Sequence, residues 1–178
     1  MKTLYQYSEK QKIENATADS FFSIYNTENK TSYSVIRIAG DGEVPDVFAK
    51  DDEGREFNIE VTLTEDAPGN IVCSLGKNDT HSLAALKSHL QAVRAGKEKL
   101  RANSLEYNAL PMLLQRIDKK LIKRYGPNTA LVVRDTSNLR DWEFVCPEIN
   151  KYLNCKIIPF DLGIWILYLN KTKIMKIL

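Results

Sequence analysis

The chain has 178 residues, of which 43% are hydrophobic and 27% charged, and its net charge is +2. These values are typical of a globular domain that buries a sizeable core. The sequence contains no run of about 18 apolar residues, so it predicts no transmembrane helix. We therefore expect one domain over residues 1–178. The N-terminus lacks the apolar segment of a signal peptide, and Cys73, Cys146 and Cys155 form no CxxC pair, so we expect a cytoplasmic protein with reduced thiols.

Charge is distributed unevenly along the sequence. Residues 1–86 carry 8 Lys/Arg against 15 Asp/Glu, a balance of −7, whereas residues 87–124 have a balance of +7. An acidic segment followed by a basic one suits a polyanion that is bound through both a metal ion and cationic side chains. The alternative interpretation is a set of solvated helix faces.

The first predicted element is a helix. Residues 8–11, Ser-Glu-Lys-Gln, fit a capping box, and apolar residues recur at partly helical spacing through about Tyr25. Glu14 lies in this helix, where it is either a solvent-facing residue or an acid that belongs to a site. The β-rich run at residues 33–39 predicts a strand after a polar turn.

Residues 44–64 predict a β-hairpin that carries two acids. The turn is Asp51-Asp52-Glu53-Gly54, in which glycine is free to take a positive φ. Because side chains alternate between the faces of a strand, Asp46 before the first strand and Glu60 in the second can lie side by side. Two such carboxylates repel each other unless a cation lies between them, and Mg²⁺ or Mn²⁺ is the usual one. The alternative is a pair of exposed acids on a polar face.

The basic segment is predicted to form two helices after a long loop at residues 65–79. In the first, over residues 80–100, apolar residues recur at spacings of three, four and seven, and a row of cations lies beside them. That row consists of Lys87, Arg94 and Arg101. The second helix starts at Pro111 and reaches about Tyr125. Its basic face consists of Arg116, Lys119, Lys120, Lys123 and Arg124.

The remaining elements complete an α/β fold with a mixed sheet. A buried strand is predicted at residues 129–134 and a helix at residues 139–153, in which Pro147 should cause a break or kink. Three strands follow. They cover residues 156–160, 164–169 and 173–178.

The order of elements and the spacing of the acids resemble the PD-(D/E)xK nuclease superfamily. The resemblance rests on Pro45-Asp46, thirteen intervening residues and Glu60-Val61-Thr62, and on a basic helix that ends in Tyr125-Gly126 before an apolar strand. It implies a single nuclease-like domain with a restriction-endonuclease-like α/β/α sandwich around a mixed central sheet. The shared core is a helix, three antiparallel strands, a helix and another strand.

The resemblance also implies a reaction, the metal-assisted hydrolysis of a phosphodiester in nucleic acid, with DNA favoured over RNA. Asp46, Glu60 and the Val61 carbonyl would hold Mg²⁺ or Mn²⁺, and Glu14 would complete the shell through a water. Phosphates would be held by cations of the two basic helices. Those cations are Lys87, Arg94, Arg101, Lys119 and Lys123.

Thr62 departs from the family, which usually has lysine at this position to orient the attacking water and to offset charge. Either a lysine on a nearby helix takes over, with Lys87 as the candidate, or the chain resembles members without that lysine, or catalysis is lost. We therefore keep two alternatives to the nuclease. One is an inactive nucleic-acid-binding module, and the other is a protein-interaction module that dimerises through C-terminal apolar residues. Those residues are Trp165, Tyr168, Ile174 and Leu178.

Overall fold

The computed structural model describes residues 7–64, 104–135, 142–168 and 172–178. Predictions for the loop at residues 65–79 and for the helix at residues 80–100 lie outside the described residues. The same holds for three predicted site residues, Lys87, Arg94 and Arg101.

The described residues form three helices and six strands. In chain order they are α1 (Glu9–Asn29), β1 (Ser34–Ile38), β2 (Val47–Lys50), β3 (Asn58–Leu63), α2 (Ser104–Leu121), β4 (Thr129–Asp135), α3 (Trp142–Leu153), β5 (Ile164–Tyr168) and β6 (Lys173–Lys176). No helix among them is long and apolar enough to cross a membrane.

The six strands form one open sheet in the order β1-β2-β3-β4-β5-β6. Strand β2 runs antiparallel to both β1 and β3, β4 and β5 run parallel to β3, and β6 returns antiparallel to β5. The chain is thus an α/β protein with a mixed sheet, as predicted. The antiparallel part carries the predicted hairpin, and the parallel part begins at the strand that carries Glu60.

Helices cover both faces of the sheet. On one face Phe21 and Phe22 of α1 pack with Val47, Ile59 and other apolar residues of the strands. On the opposite face Ile117 of α2 and Ile149 of α3 pack with the alternate residues of β4 and β5. Burial on both faces explains why β4 is apolar throughout most of its length.

Local signals account for several element boundaries. The Ser8 hydroxyl accepts a hydrogen bond from the Gln11 amide, and the Gln11 side chain accepts one from the Ser8 amide, so the predicted capping box is confirmed. In the hairpin turn, Gly54 has a φ of 80°, and the Asp51 carboxylate accepts hydrogen bonds from the amides of Glu53 and Arg55. Asp51 therefore shapes the turn before the glycine completes it.

Three element predictions were wrong. Residues 156–160 form no strand, because the edges of β4 are already paired with β3 and β5 and the segment instead turns, with Gly163 donating to the Phe160 carbonyl. Helix α2 begins at Ser104 and ends at Leu121, so its range extends before Pro111 and stops short of Tyr125. Helix α3 continues past Pro147 to Leu153, so the predicted break is wrong, whereas the alternative of a kink stays a prediction.

The C-terminal apolar residues are not a free docking surface. Trp165 packs edge-on against the rings of Phe21 and Tyr25 at 5.6 Å, and Tyr168 and Ile174 are buried. Strand β6 is an edge of the sheet, but its apolar side chain at Ile174 belongs to the core. Dimerisation through this edge strand stays a prediction, and it would use the backbone of β6 more than these side chains.

Candidate functional site

Two buried carboxylates face each other across the hairpin. Val47 of β2 pairs with Ile59 of β3, so the residue before Val47 and the residue after Ile59 are opposite each other. These residues are Asp46 and Glu60, and both are buried. The predicted juxtaposition is confirmed, and the interpretation as exposed hairpin acids is wrong.

The backbone of β3 fixes the orientation of Asp46. The Val61 amide donates to Asp46 Oδ2 at 2.8 Å. The amides of Asn58 and Thr64 donate to carbonyls on the β4 side, so the odd-numbered Val61 faces the β2 side. Because the amide and carbonyl of one strand residue point the same way, the Val61 carbonyl also faces the side where Asp46 lies.

Two lysines near the end of α2 approach Glu60. Lys120 Nζ is 2.6 Å from Glu60 Oε1 and 3.8 Å from Asp46 Oδ2, and its side chain is 20% exposed. Lys123 Nζ is 3.5 Å from the same Glu60 oxygen and is about half exposed. A helix that packs on the sheet thus brings ammonium groups to both acids.

Helix α1 contributes a third acid and a third lysine. Glu14 is buried, and Lys10 Nζ lies 3.0 Å from Glu14 Oε1 and 3.5 Å from Asp46 Oδ1. Burial, together with the negative charge of Asp46, raises the pKa of Glu14 to about 7. Burial lowers the pKa of Lys10, but the contacts with Glu14 and Asp46 outweigh it and raise the pKa overall.

One oxygen of the cluster has unused capacity. Glu60 Oε2 is buried, and none of the described residues donates a hydrogen bond to it. The Tyr125 hydroxyl is also buried and makes no hydrogen bond of normal geometry with the described residues, although it lies near Glu60. Burial, the charge of Glu60 and the side-chain interaction with Glu60 raise the pKa of Tyr125 above the usual range, so the hydroxyl stays protonated. A buried carboxylate oxygen without a partner is costly, and a bound ligand would relieve that cost.

The donor set fits a hard divalent ion. Asp46, Glu60 and the Val61 carbonyl would supply oxygen ligands, which Mg²⁺ and Mn²⁺ prefer, and Glu14 lies beside Asp46. Among the described residues, no three His, Cys, Asp or Glu side chains form a ready-made metal cluster. The ligands would therefore be two carboxylates, a backbone carbonyl and waters, in the way that Mg²⁺ is commonly bound.

The structure brings together part of the predicted set. Asp46, Glu60, Val61 and Glu14 meet at one place, and burial of Glu14 excludes the solvent-facing interpretation. Thr62 is buried in β3. Lys119 is exposed on α2, and Lys123 is exposed two residues after the end of that helix. Binding of nucleic acid by these two lysines stays a prediction.

Two residues of the site, Lys10 and Lys120, were not predicted from the sequence to belong to it. Lys120 follows Leu113 by seven residues and Ile117 by three, so it shares the buried stripe of α2. Lys10 precedes Glu14 by four residues, which is the spacing of a helical ion pair. Arg116 was assigned to a basic surface face, but it is half-buried and donates to the Leu63 carbonyl at 2.7 Å.

Comparisons of this chain with protein-family models, with curated proteins and with solved structures find no match. Any function assigned to the chain therefore rests on the chemistry of its own side chains.

Proposed function

We propose that the chain is a metal-dependent nuclease that hydrolyses phosphodiester bonds in nucleic acid, on a restriction-endonuclease-like α/β/α fold. The order of the described elements supports this fold: α1, the antiparallel strands β1 to β3, then α2 and the parallel strand β4. This is the core that members of the PD-(D/E)xK superfamily share. The two faces covered by helices are consistent with its sandwich.

The observation that carries the proposal is the position of Lys120. Its ammonium group is 2.6 Å from Glu60 Oε1 and 3.8 Å from Asp46 Oδ2, so the site has a cation although the Thr62 side chain carries no charge. This cation comes from α2 rather than from the strand. It takes the role that the sequence assigned to Lys87, a lysine supplied by a nearby helix.

Each residue has a stated role in the proposed reaction. Asp46, Glu60 and the Val61 carbonyl would hold Mg²⁺ or Mn²⁺, with Glu14 next to them. When bound, the ion would polarise the phosphate and lower the pKa of a water molecule. Lys120 would orient the nucleophilic water and offset the charge that develops on the phosphate oxygens. Two exposed cations, Lys119 on α2 and Lys123 just after it, would bind phosphates without reading the sequence.

Cleavage assays test the proposal. Purified protein would be incubated with Mg²⁺ or Mn²⁺ and with single-stranded DNA, duplex DNA and RNA. We expect cleavage that EDTA abolishes and that Asp46→Asn and Lys120→Met reduce at least about 100-fold, as losses of charge stabilisation do. Asp41→Asn is the matched control, because Asp41 is exposed in the loop before the hairpin. Failure to cut any substrate, or equal cutting by Asp46→Asn, would contradict the nuclease.

A second candidate is a binding module without catalysis. Three carboxylates and three ammonium groups meet in the cluster, so their formal charges balance without a metal ion. Such a network can be purely structural. This candidate predicts nucleic-acid binding that weakens with salt, is unaffected by EDTA, and occurs without turnover. Retention of binding by Asp46→Asn under these conditions would favour it over the nuclease.

A further inference from the structure

Lys10 reaches into the acidic cluster from the solvent. Its side chain is 70% exposed, whereas those of Glu14 and Asp46, which its ammonium contacts, are 5% and 6% exposed. Lys120 differs, because only 20% of its side chain is exposed. Lys10 is therefore the cation that can leave the cluster for water at low cost.

The two oxygens of Asp46 have different neighbours. Oδ2 accepts the Val61 amide at 2.8 Å and lies nearer to Lys120. Oδ1 lies 3.5 Å from Lys10. An ion that binds Asp46 therefore finds more coordinating capacity at Oδ1, and there it meets the ammonium group of Lys10. Two cations at that oxygen repel each other, so both cannot stay.

We propose that Lys10 is an internal competitor for the divalent ion: its ammonium group holds Glu14 and Asp46 together in the metal-free protein and moves out to solvent when the ion binds. The inference rests on the proposed metal site and adds a residue that sets its affinity. Lys10 thus stabilises the cluster until the ion arrives, and lowers the affinity for that ion.

The sign of the effect separates this role from a merely structural one. Loss of a residue that only supports the site would weaken metal binding, because the carboxylates would be less ordered. Loss of a competitor would instead strengthen metal binding. Each Lys10 contact contributes little because the lysine side chain is largely in water, so removal of the two contacts should tighten Mn²⁺ binding roughly three- to tenfold.

Mn²⁺ alone is a suitable probe, because its free form is counted directly by electron paramagnetic resonance. The dissociation constant would be measured for the full-length wild type, Lys10→Gln, Lys10→Arg and Lys12→Gln. Lys12 is the matched control, since it pairs with exposed Glu9 on the same helix. We expect tighter binding in Lys10→Gln alone, and wild-type affinity in Lys10→Arg, which keeps the positive charge.

Thermal unfolding gives a second readout that is independent of activity. In EDTA, Lys10→Gln should have a lower midpoint than the wild type, because the Glu14 and Asp46 carboxylates lose their shared cation. At saturating Mn²⁺ the difference should shrink, since in both proteins the ion would then offset the charge of the carboxylates and Lys10 of the wild type would no longer contact them.

The outcomes separate this inference from the proposed function. If Asp46→Asn loses Mn²⁺ binding while Lys10→Gln binds as the wild type does or more weakly, Lys10 is not a competitor and the metal site stands. If the wild type does not bind Mn²⁺, or Asp46→Asn binds it equally well, both the metal site and the role of Lys10 are overturned.

Discussion

Replacement of Lys120 by methionine should destabilise the fold because of what it leaves behind. Glu60 is fully buried, and its Oε1 would lose the ammonium group at 2.6 Å and retain only that of Lys123 at 3.5 Å. Removal of one partner of a buried ion pair costs about 3–5 kcal/mol. Since Lys123 still offsets part of the charge, we expect the free energy of unfolding to fall by about 2–4 kcal/mol.

Urea unfolding in EDTA, followed by tryptophan fluorescence, measures this loss. Lys119→Met is the matched control, because Lys119 is exposed one position earlier on α2 and should change stability by less than about 0.5 kcal/mol. The double variant Glu60→Gln with Lys120→Met should recover at least about 1 kcal/mol relative to the sum of the single effects. Equal stability of the Lys120 and Lys119 variants would refute the ion pair on which the site depends.

Three further predictions concern other parts of the described fold. Burial and the charge of Asp46 raise the pKa of Glu14 to about 7. Between the ordinary carboxyl pKa and this value, Glu14 is protonated in the folded protein but ionised in the unfolded chain. Stability in EDTA should therefore fall as the pH rises from about 5 to about 8, and thermal midpoints should fall less in Glu14→Gln. Gly163→Ala should lower the free energy of unfolding in urea by at least about 3 kcal/mol, because φ is +88° and a Cβ would collide with the Leu178 carbonyl. Gly54→Ala should lower it by only about 1 kcal/mol, because φ is +80° but a Cβ would meet open space. Burial opposes the shift, but contacts from Arg55 hold the pKa of Asp51 below its usual range. The ionised carboxylate therefore stabilises the folded state at neutral pH, and Asp51→Asn should lower the thermal midpoint there. The difference in midpoint between the variant and the wild type should shrink as the pH falls through the usual pKa range of aspartate.

The hairpin was predictable because its signals are local. Alternation of apolar residues fixed which side chains of β3 face α1, and therefore which face carries Glu60. The glycine in the turn limited how the two strands could join. Once these two features were set, Asp46 had to lie near Glu60, since a hairpin leaves little freedom in register.

The identity of the cation at the site was not predictable in the same way. Lys120 comes from a helix that follows β3 by more than 40 residues, and its position depends on how α2 packs on the sheet. The sequence predicts a core face through Leu110, Leu114, Ile117, Leu121 and Tyr125. Ile117 is fully buried, but Leu113 is buried more deeply than Leu114. A rotation of the helix by less than one residue step moves Lys120 from the surface to the acids.

The false strand at residues 156–160 has a similar origin. A short apolar run does not reveal whether a neighbouring strand has a free edge. Ile157 is almost fully exposed, Ile158 is partly buried, and Phe160 packs against the Tyr125 ring at 4.6 Å, so the apolar residues of the run do not form an alternating face. Tertiary pairing decided the outcome, as it does for most short apolar segments.

A crystal structure with bound Mn²⁺ tests the central claim most directly, because the anomalous signal locates the ion. We expect one peak at about 2.1 Å from oxygens of both Asp46 and Glu60, with the Lys120 ammonium still beside Glu60. A structure at millimolar Mn²⁺ with no peak at these carboxylates, and with the lysines paired to them as in the metal-free protein, would contradict the metal site and the nuclease built on it.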